Sequence, residues 1–595
     1  MRSRIWEVSS TLVRVALGIE KADLVILNSN FVNVNSGEVL EGYGVAVKGD
    51  RVAAIGEVSH TIGPRTQVID ARGMYLVPGF IDAHVHVESS MLCLTNFAKV
   101  VLPRGTTSVF IDPHEIANVL GLEGVRIMVE ESRDLPLKVF VTAPSCVPAN
   151  PSFETSGAHL GVGEVEEMLS WDGVVALGEM MNYPGVLATD PEVFGKINAA
   201  HRAGKVVEGH DAGLLGRELT AYAAAGISSS HEMTRKVDAI ERLRLGMYAY
   251  MREGSAWLDV KETVKAITEA KLDSRHACLV TDDREVDSII KQGHMDHVVR
   301  RAIEEGLDPI RAIQMATINP AEHYGLAREI GSVAPSRLAD ILLLRDLTRV
   351  EVDTVIADGR VVAREGKLAI DMRPPSYDER YLRTVRLHKR LQPDDFRIRA
   401  PMSDGRVRVR VIEAMEGSVL TKCAVEELEV RGGEILPDAS RMIYKVAVVE
   451  RHKASGNMGL GFVKGFGFRL GAVASTIAHD NHNLLVLGMS DRDMALAVNT
   501  LAEAGGGIVT VDGGEVLSLV RLPLAGLMST DEPERVAEEL ERTYDVWRER
   551  GCGWVSPFMT MSLLALDVLP ELRITDRGLI DTVNFRYVDL IYEHS

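Results

Sequence analysis

Two histidines, His84 and His86, stand one residue apart at the end of an apolar run, residues 78–88, with the sequence PGFIDAHVHVE. Alternate residues of a β-strand share one face, so both imidazoles point the same way and can bind one metal ion. Histidine is also a common buried structural residue, and an isolated pair at a strand end fits either role. The remainder of the chain decides between a metal-binding and a structural role for the pair.

Further metal-ligand residue types follow later apolar runs, each where the run ends. They are Glu179, His210, His231 and Asp282. Because the carboxyl ends of barrel strands converge on one mouth, four imidazoles and two carboxylates are expected to meet there. Unrelated polar residues at a barrel rim are the alternative, and the number of ligand types at matching strand ends favours a metal site.

Six protein ligands exceed what one tetrahedral ion with an open position uses, so this set predicts two divalent ions that share Glu179 as a bridge. A water between such ions ionises near neutral pH, because the metals lower its pKa from about 15.7 to about 7. The chemistry indicated is hydrolysis by a metal-bridging hydroxide. Imidazole and carboxylate accept zinc, iron or manganese, while the absence of thiolate ligands removes the main cue for zinc.

Eight short apolar runs alternate with helical segments between residues 77 and 330, which is typical of βα units around a parallel sheet. The runs are LVPGFIDAHVH, TTSVFID, LKVFVTA, GVVALGE, KVVEGH, GISSSHE, GMYAYMRE and HACLVTDD. Eight strands in about 250 residues match the count and size of a (β/α)8 barrel. We therefore predict an α/β chain in which residues 77–330 form a TIM-like barrel with the metal site at its mouth.

Hairpin-like β segments flank the barrel in sequence. Residues 22–76 and 331–368 share the same alternation of apolar and polar residues and the same Gly, Asn and Asp turns. They are predicted to pair into one flanking β-sandwich, with 1–76 as its first part and 331–370 as its second. A charged, Pro-containing stretch then marks the boundary to a C-terminal α/β or α+β domain, residues 371–595.

The composition argues against several classes of protein. The 595 residues are 46% hydrophobic and 25% charged, and no segment approaches about 18 uncharged apolar residues, so no membrane span is expected. A formal charge of -19, without a basic cluster interleaved with aromatics, argues against nucleic acid as a partner. Five widely spaced cysteines, none in a CxxC pair, predict no disulfide framework and a cytoplasmic location.

Whole segments of the sequence resemble the amidohydrolase superfamily and, within it, the adenine deaminases. The resembling segments are PGFIDAHVHVESSM, DPHEIANVLG, ALGEMMNYPGV, EGHDAG, SSHE and VTDDR in the barrel, and GNMGLGFVKGFGFRLGAVASTIAHDNHN in the C-terminal domain. Many superfamily members place a carboxylated lysine on the fourth strand, yet no lysine lies between Lys138 and Lys196. Glu179 stands there instead, as in the adenine deaminases.

The resemblance implies hydrolysis of adenine to hypoxanthine and ammonia, a purine salvage reaction, with the bridging hydroxide attacking C6. Glu179 and Asp282 are then the catalytic residues, and Asp282 is the predicted proton carrier because it lies within reach of the hydroxide. The resemblance favours two ions of Mn²⁺ or Fe²⁺, with Zn²⁺ as a third option. It also implies a homo-oligomer, a dimer, with adenine as the small-molecule partner.

Polar residues of the mouth loops and of the C-terminal segment are candidate contacts with the substrate. They are Glu88, Ser89, Asp112, His114, Asp283, His479, Asp480 and His482. Polar loop residues at a barrel mouth serve structure as often as binding, so both roles stay open. The Gly-rich stretch 456–483 has no following Lys-Ser/Thr and no dinucleotide spacing, so tight turns or a lid fit it better than a phosphate loop.

Two other functions are consistent with parts of this pattern. A different amidohydrolase, acting on a pyrimidine, an imidazolone or an acylated amine, would use the same metal ligands. The strand-4 glutamate and the C-terminal domain favour the adenine deaminases over it. A non-catalytic scaffold relative is the second alternative, and the complete ligand set argues against it.

Overall fold

The computed structural model describes residues 2–592 of the chain. The first part of the chain forms one helix and five strands. They are α1 (Ile5–Ala16), β1 (Leu24–Asn33), β2 (Glu38–Lys48), β3 (Arg51–Gly56), β4 (Gln67–Asp70) and β5 (Tyr75–Pro78).

Eight strands follow at the positions of the eight predicted apolar runs. They are β6 (Phe80–Val85), β7 (Thr106–Ile111), β8 (Lys138–Ala143), β9 (Val174–Met180), β10 (Val206–Gly209), β11 (Ser229–Ser230), β12 (Tyr248–Arg252) and β13 (Ala277–Val280). β6–β10 form a five-stranded parallel sheet and β11–β13 a three-stranded one. Parallel bridges between Val207 and Ile227 and between Val85 and Asp282 join the two sheets at both edges. The fold is therefore a TIM-barrel-type arrangement with mixed α/β content.

Helices connect these strands. They are α2 (Leu94–Val101), α3 (His114–Leu120), α4 (Leu122–Ser132), α5 (Val162–Leu169), α6 (Tyr183–Leu187), α7 (Pro191–Arg202), α8 (Gly216–Ala224), α9 (Lys236–Arg244), α10 (Val260–Thr263), α11 (Lys265–Thr268), α12 (Val286–Gln292), α13 (Met295–Glu304), α14 (Pro309–Met315) and α15 (Ile318–His323). Every residue of β6 and β7 is buried, as expected for parallel strands covered on both faces.

The first predicted strand is divided in two at Gly79. β5 ends at Pro78 and β6 begins at Phe80. A Cβ on Gly79 would lie 2.1 Å from Oγ1 of Thr107, so a side chain has no room where the chain passes β7. The run is apolar on both sides of the glycine, which is why periodicity alone predicts one continuous strand.

A nine-stranded sheet combines strands from both sides of the barrel segment. Its later strands are β14 (Ile341–Leu344), β15 (Val352–Ala357), β16 (Arg360–Arg364) and β17 (Lys367–Leu368). The order is β17-β16-β15-β14-β5-β1-β2-β3, with β4 paired to β1. The two sequence passages meet where β14 runs antiparallel to β5, with Ile341 opposite Pro78.

A buried lysine joins this sheet to the barrel. The Lys138 side chain is 2% exposed, and its Nζ lies 2.6 Å from Asp340 Oδ1 and 2.7 Å from Asp358 Oδ1. Lys138→Met should lower the free energy of unfolding by about 3–5 kcal/mol, because removing one partner of a buried pair leaves charge uncompensated. Urea unfolding followed by tryptophan fluorescence measures the change. The exposed Lys261→Met is the control, and equal transitions for both variants would contradict this role.

The C-terminal part is a separate α+β arrangement. It contains α16 (Glu379–Leu382), β18 (Gly405–Ala414), β19 (Thr421–Arg431), β20 (Glu434–Ile435), β21 (Ile443–Val449), β22 (Met458–Lys464), β23 (Ala472–Ser475), β24 (Leu484–Gly488), α17 (Asp491–Ala504), β25 (Gly507–Asp512), β26 (Glu515–Arg521), α18 (Pro533–Glu549), α19 (Pro557–Ser562), β27 (Leu572–Thr575), β28 (Gly578–Asp581) and β29 (Arg586–Tyr587). β18–β26 form a second nine-stranded sheet, and β27–β29 a small antiparallel one. In residues 2–592 no helix combines the length and apolarity needed to cross a bilayer.

The C-terminal part lies against the mouth of the barrel. Nδ2 of Asn481 donates to Glu154 Oε2 at 2.7 Å, and Nδ2 of Asn483 donates to the carbonyl of Thr155 at 2.7 Å. The hydroxyl of Tyr544 on α18 donates to Glu285. These contacts place a second polypeptide layer over the strand ends that carry the predicted ligands.

Candidate metal centre and substrate cavity

The six predicted metal ligands come together at the carboxyl ends of five strands. His84 and His86 belong to the end of β6, Glu179 to β9, His210 follows β10, His231 follows β11 and Asp282 follows β13. All six are buried, with His210 the most exposed at 8%.

The carboxylate of Glu179 lies among several imidazoles. Oε1 is 3.3 Å from Nε2 of His86, and Oε2 is 2.5 Å from Nδ1 of His210 and 3.1 Å from Nε2 of His231. Both oxygens of Glu179 therefore lie near imidazole nitrogens, which like carboxylate oxygens are common metal ligands.

Asp282 faces the same cluster with one oxygen. Oδ1 lies 3.2 Å from Nε2 of His86 and 3.5 Å from Nε2 of His84, while Oδ2 accepts a hydrogen bond from Nη1 of Arg252 at 2.8 Å. Arg252 on β12 therefore fixes the orientation of the carboxylate and leaves Oδ1 directed at the imidazoles.

The donor atoms fit a divalent metal. Several sets of side chains have ligand atoms within 4.8 Å of one another, and three of these sets consist of predicted ligands: His84 with His86 and Glu179, Glu179 with His210 and His231, and His84 with His231 and Asp282. Glu179 belongs to two of the three. Nε2 of His84 and Nε2 of His210 are buried and have no hydrogen-bond partner among the described residues. Imidazole nitrogens next to carboxylates suit zinc, iron or manganese.

Outer hydrogen bonds orient the two histidines of β6. Nδ1 of His84 donates to Glu208 Oε2 at 3.0 Å, and Nδ1 of His86 donates to the backbone carbonyl of Asp112 at 3.0 Å. With the proton on Nδ1, the lone pair of Nε2 faces the cluster, which is the tautomer that metal-binding histidines use.

Both carboxylates of the cluster are held ionised. Burial would raise the pKa of Glu179, but the imidazoles of His231 and His210 outweigh it and hold that pKa well below its usual range. Burial acts on Asp282 in the same way, and His231 together with His84, His86 and Arg252 lowers its pKa well below normal. Ionised carboxylates are the form that binds a cation.

A cavity of about 40 Å³ lies over this cluster. Its lining comes from both parts of the chain: His86, His114, Glu115, Glu179, Met181, His210, His231, Glu232, Arg252, Trp257, Asp282 and Asp283 from the barrel, and Val419, His479, Asp480, Leu563, Leu566 and Leu569 from the C-terminal part.

Four of the eight predicted substrate contacts line this cavity. They are His114, Asp283, His479 and Asp480. The other four, Glu88, Ser89, Asp112 and His482, are buried but do not appear in its wall.

Three of those four support the loops at the mouth of the barrel. Glu88 Oε1 accepts from the backbone N–H of Ile116 at 3.1 Å, and Asp112 Oδ2 accepts from the backbone N–H of Glu179 at 2.8 Å. The hydroxyl of Ser89 donates to Asp283. These three side chains thus brace the mouth loops, and Ser89 does so by contacting a residue that lines the cavity.

Three residues of the site were missed by sequence reasoning. Glu208 lies two positions before His210 on β10, a spacing that could have identified it as a further residue of the same strand face. Arg252 is the last residue of β12. It was not selected because a search for metal ligands considers His, Cys, Asp and Glu but not arginine. Glu232 directly follows His231, and its Oε1 accepts from Arg252 Nη1.

Two family models match the chain, "Amidohydrolase family" over residues 75–362 and "Adenine deaminase C-terminal domain" over residues 418–586. A protein of Moorella thermoacetica described as an adenine deaminase is 55% identical over 591 residues, which is 99% of each chain. The chain belongs to the adenine deaminase family. Adenine deaminases of Clostridium botulinum and Mesorhizobium japonicum are each 48% identical, over 99% and 98% of this chain and 98% and 97% of their own.

Membership of the adenine deaminase family confirms the resemblance read from the barrel and C-terminal segments. The amidohydrolase match covers the barrel, and the buried imidazole and carboxylate sets lie within it. Together they indicate a hydrolase with a divalent metal at the barrel mouth.

Proposed function

We propose that the chain hydrolyses adenine to hypoxanthine and ammonia. Full-length similarity to adenine deaminases supports this substrate. The observation that carries the chemistry is Glu179, a buried carboxylate at the end of the fourth barrel strand. It belongs to two sets of candidate ligands and lines the cavity above them.

The ligands proposed for two divalent ions are His84, His86, Glu179, His210, His231 and Asp282, with Mn²⁺ or Fe²⁺ ahead of Zn²⁺. Such ions, when bound, supply Lewis acidity and a water that ionises near neutral pH. Glu179 would be shared between the two ions, because both of its oxygens face imidazoles.

Asp282 is proposed as the proton carrier. Arg252 holds Oδ2, so Oδ1 remains to accept the proton of the attacking water and to return it to the departing amine at C6. The low pKa of this carboxyl keeps it ionised at neutral pH, which leaves a lone pair on Oδ1 for the proton.

The cavity wall is suited to a flat heteroaromatic base. Trp257, Leu563, Leu566 and Leu569 supply apolar surface, which excludes water and packs against ring faces. His114, Asp283, His479 and Asp480 supply the polar groups proposed to bind ring edges.

The proposed domain organisation keeps the boundaries expected from the sequence: 1–76 and 331–370 as the two parts of a flanking β-sandwich, 77–330 as the metal-dependent barrel and 371–595 as the C-terminal domain. Pairing of β14 with β5 supports the first of these units. A cytoplasmic homodimer completes the proposal.

Ammonia release from a substrate panel tests the function. Protein loaded with manganese should release ammonia from adenine and form hypoxanthine in equal amount, while cytosine and a dihydropyrimidine should give little. Turnover of the dihydropyrimidine with none of adenine would instead assign the chain to another amidohydrolase activity.

A further inference from the structure

One carboxylate of the barrel bonds two histidines of the C-terminal domain. Glu115, on α3, has Oε1 2.7 Å from Nδ1 of His479, and its other oxygen contacts Nε2 of His482. Their exposures are 2%, 4% and 0%, respectively. The contact therefore links the two parts of the chain inside the protein, next to the cavity.

Local hydrogen bonds define the state of His482. The backbone N–H of Ala478 donates to its Nδ1 at 3.3 Å, so Nδ1 carries a lone pair and Nε2 carries the proton. The protonated Nε2 is in contact with Oε2 of Glu115. A protonated Nε2 has no lone pair for a metal, so in this tautomer the three residues form a clasp between the two parts of the chain, although their ligand atoms also lie within 4.8 Å of one another.

His479 is left with one free ring nitrogen. Its Nδ1 donates to Glu115, while its Nε2 is buried without a hydrogen-bond partner among the described residues, and the side chain lines the cavity. Burial would lower the pKa of His479, but the charge of Glu115 outweighs it and raises the pKa to about 9. At neutral pH Nε2 therefore bears a proton and needs an acceptor.

A purine offers such an acceptor. Its ring nitrogens N3 and N7 lie in the ring plane and carry lone pairs, whereas a carbon at either position cannot accept a proton. We propose that Glu115 is a positioning residue: together with His482 it holds His479 so that Nε2–H donates to a ring nitrogen of the bound purine. This inference rests on the proposed deamination of adenine.

Substrate analogues combined with enzyme variants test this contact. 3-Deazaadenine and 7-deazaadenine each replace one ring nitrogen by CH. For the unaltered enzyme, at least one analogue should have kcat/KM about tenfold or more below adenine, since a hydrogen bond to a charged group is lost. The ratio of kcat/KM for adenine to kcat/KM for the analogue also contains the intrinsic difference in reactivity of the two bases, which is the same for every variant. In His479→Ala and in Glu115→Gln the ratio should therefore fall to this intrinsic difference, because the hydrogen bond is lost for both bases.

Two further variants distinguish the positioning of His479 from general attachment of the C-terminal part to the barrel. His482→Ala removes one donor to Glu115 and should weaken the analogue discrimination even if Glu115→Gln folds poorly. Glu532→Gln breaks the exposed pair between Lys99 and Glu532, which also joins the barrel to the C-terminal part, and should leave the discrimination unchanged.

The inference is overturned if the ratio for each analogue is the same in the unaltered enzyme, in His479→Ala and in Glu115→Gln. It is also overturned if Glu532→Gln changes the ratio as much as Glu115→Gln does. A third equivalent of bound metal that disappears in Glu115→Gln would also overturn it, because Glu115 would then be a ligand. An unaltered enzyme that releases no ammonia from adenine at all would instead reject the proposed function.

Discussion

Glu179→Gln is expected to abolish ammonia release from adenine while the fold stays intact. The variant keeps the size of the side chain but loses the charge that faces imidazoles on both sides. A neutral amide is a poor bridge for two cations, and metal ions contribute several kcal/mol to such reactions, so turnover should fall about a thousandfold or more. Steady-state ammonia release and metal content on the same preparation measure both effects.

Glu285→Gln is a matched control for this prediction. Glu285 is equally buried, and burial raises its pKa to about 8, so at neutral pH its carboxyl is largely uncharged already. It bonds the hydroxyls of Tyr544 and Ser556 and belongs to none of the three ligand sets described above. This variant should retain metal and turnover. Near-normal ammonia release by Glu179→Gln would contradict the bridging role.

Asp282→Asn should lower kcat for adenine by about 10²- to 10⁴-fold, the range expected for loss of a general acid–base group. An amide oxygen cannot accept and return a proton as a carboxylate does. Adenine binding depends on the cavity walls rather than on this proton transfer, so KM should change much less than kcat. Steady-state kinetics under saturating manganese separate the two constants.

Asp259→Asn controls for the arginine network. Asp259 lies 2.9 Å from Nη2 of Arg252, so it shares this partner with Asp282, but it does not line the cavity. Loss of Asp259 should leave kcat close to that of the unaltered enzyme. If Asp259→Asn were as impaired as Asp282→Asn, the effect would belong to the orientation of Arg252 and not to proton transfer.

Much of the metal cluster could be predicted from sequence because each ligand lies where an apolar run ends. Strand periodicity places His84 and His86 on one face, and barrel topology brings Glu179, His210 and Asp282 to the same mouth. The structure brings all six together, although their role as ligands stays a proposal until metal is measured.

The cavity wall could not be predicted in the same way. His479 and Glu115 meet only because the C-terminal part packs over the barrel, and nothing local in either segment encodes that contact. Ser89 and Asp112 have the polar character of binding residues, yet their hydrogen bonds are to Asp283 and to the backbone of Glu179. Residue type alone does not tell a group that lines a cavity from one that supports its wall.

Metal titration of the depleted protein tests the central claim most directly. Protein stripped with a chelator should release no ammonia from adenine, and activity should return with added Mn²⁺ and reach a plateau near two bound ions per chain. Bound metal and ammonia release are to be measured on the same samples. Full activity in protein that holds no divalent metal would contradict the account.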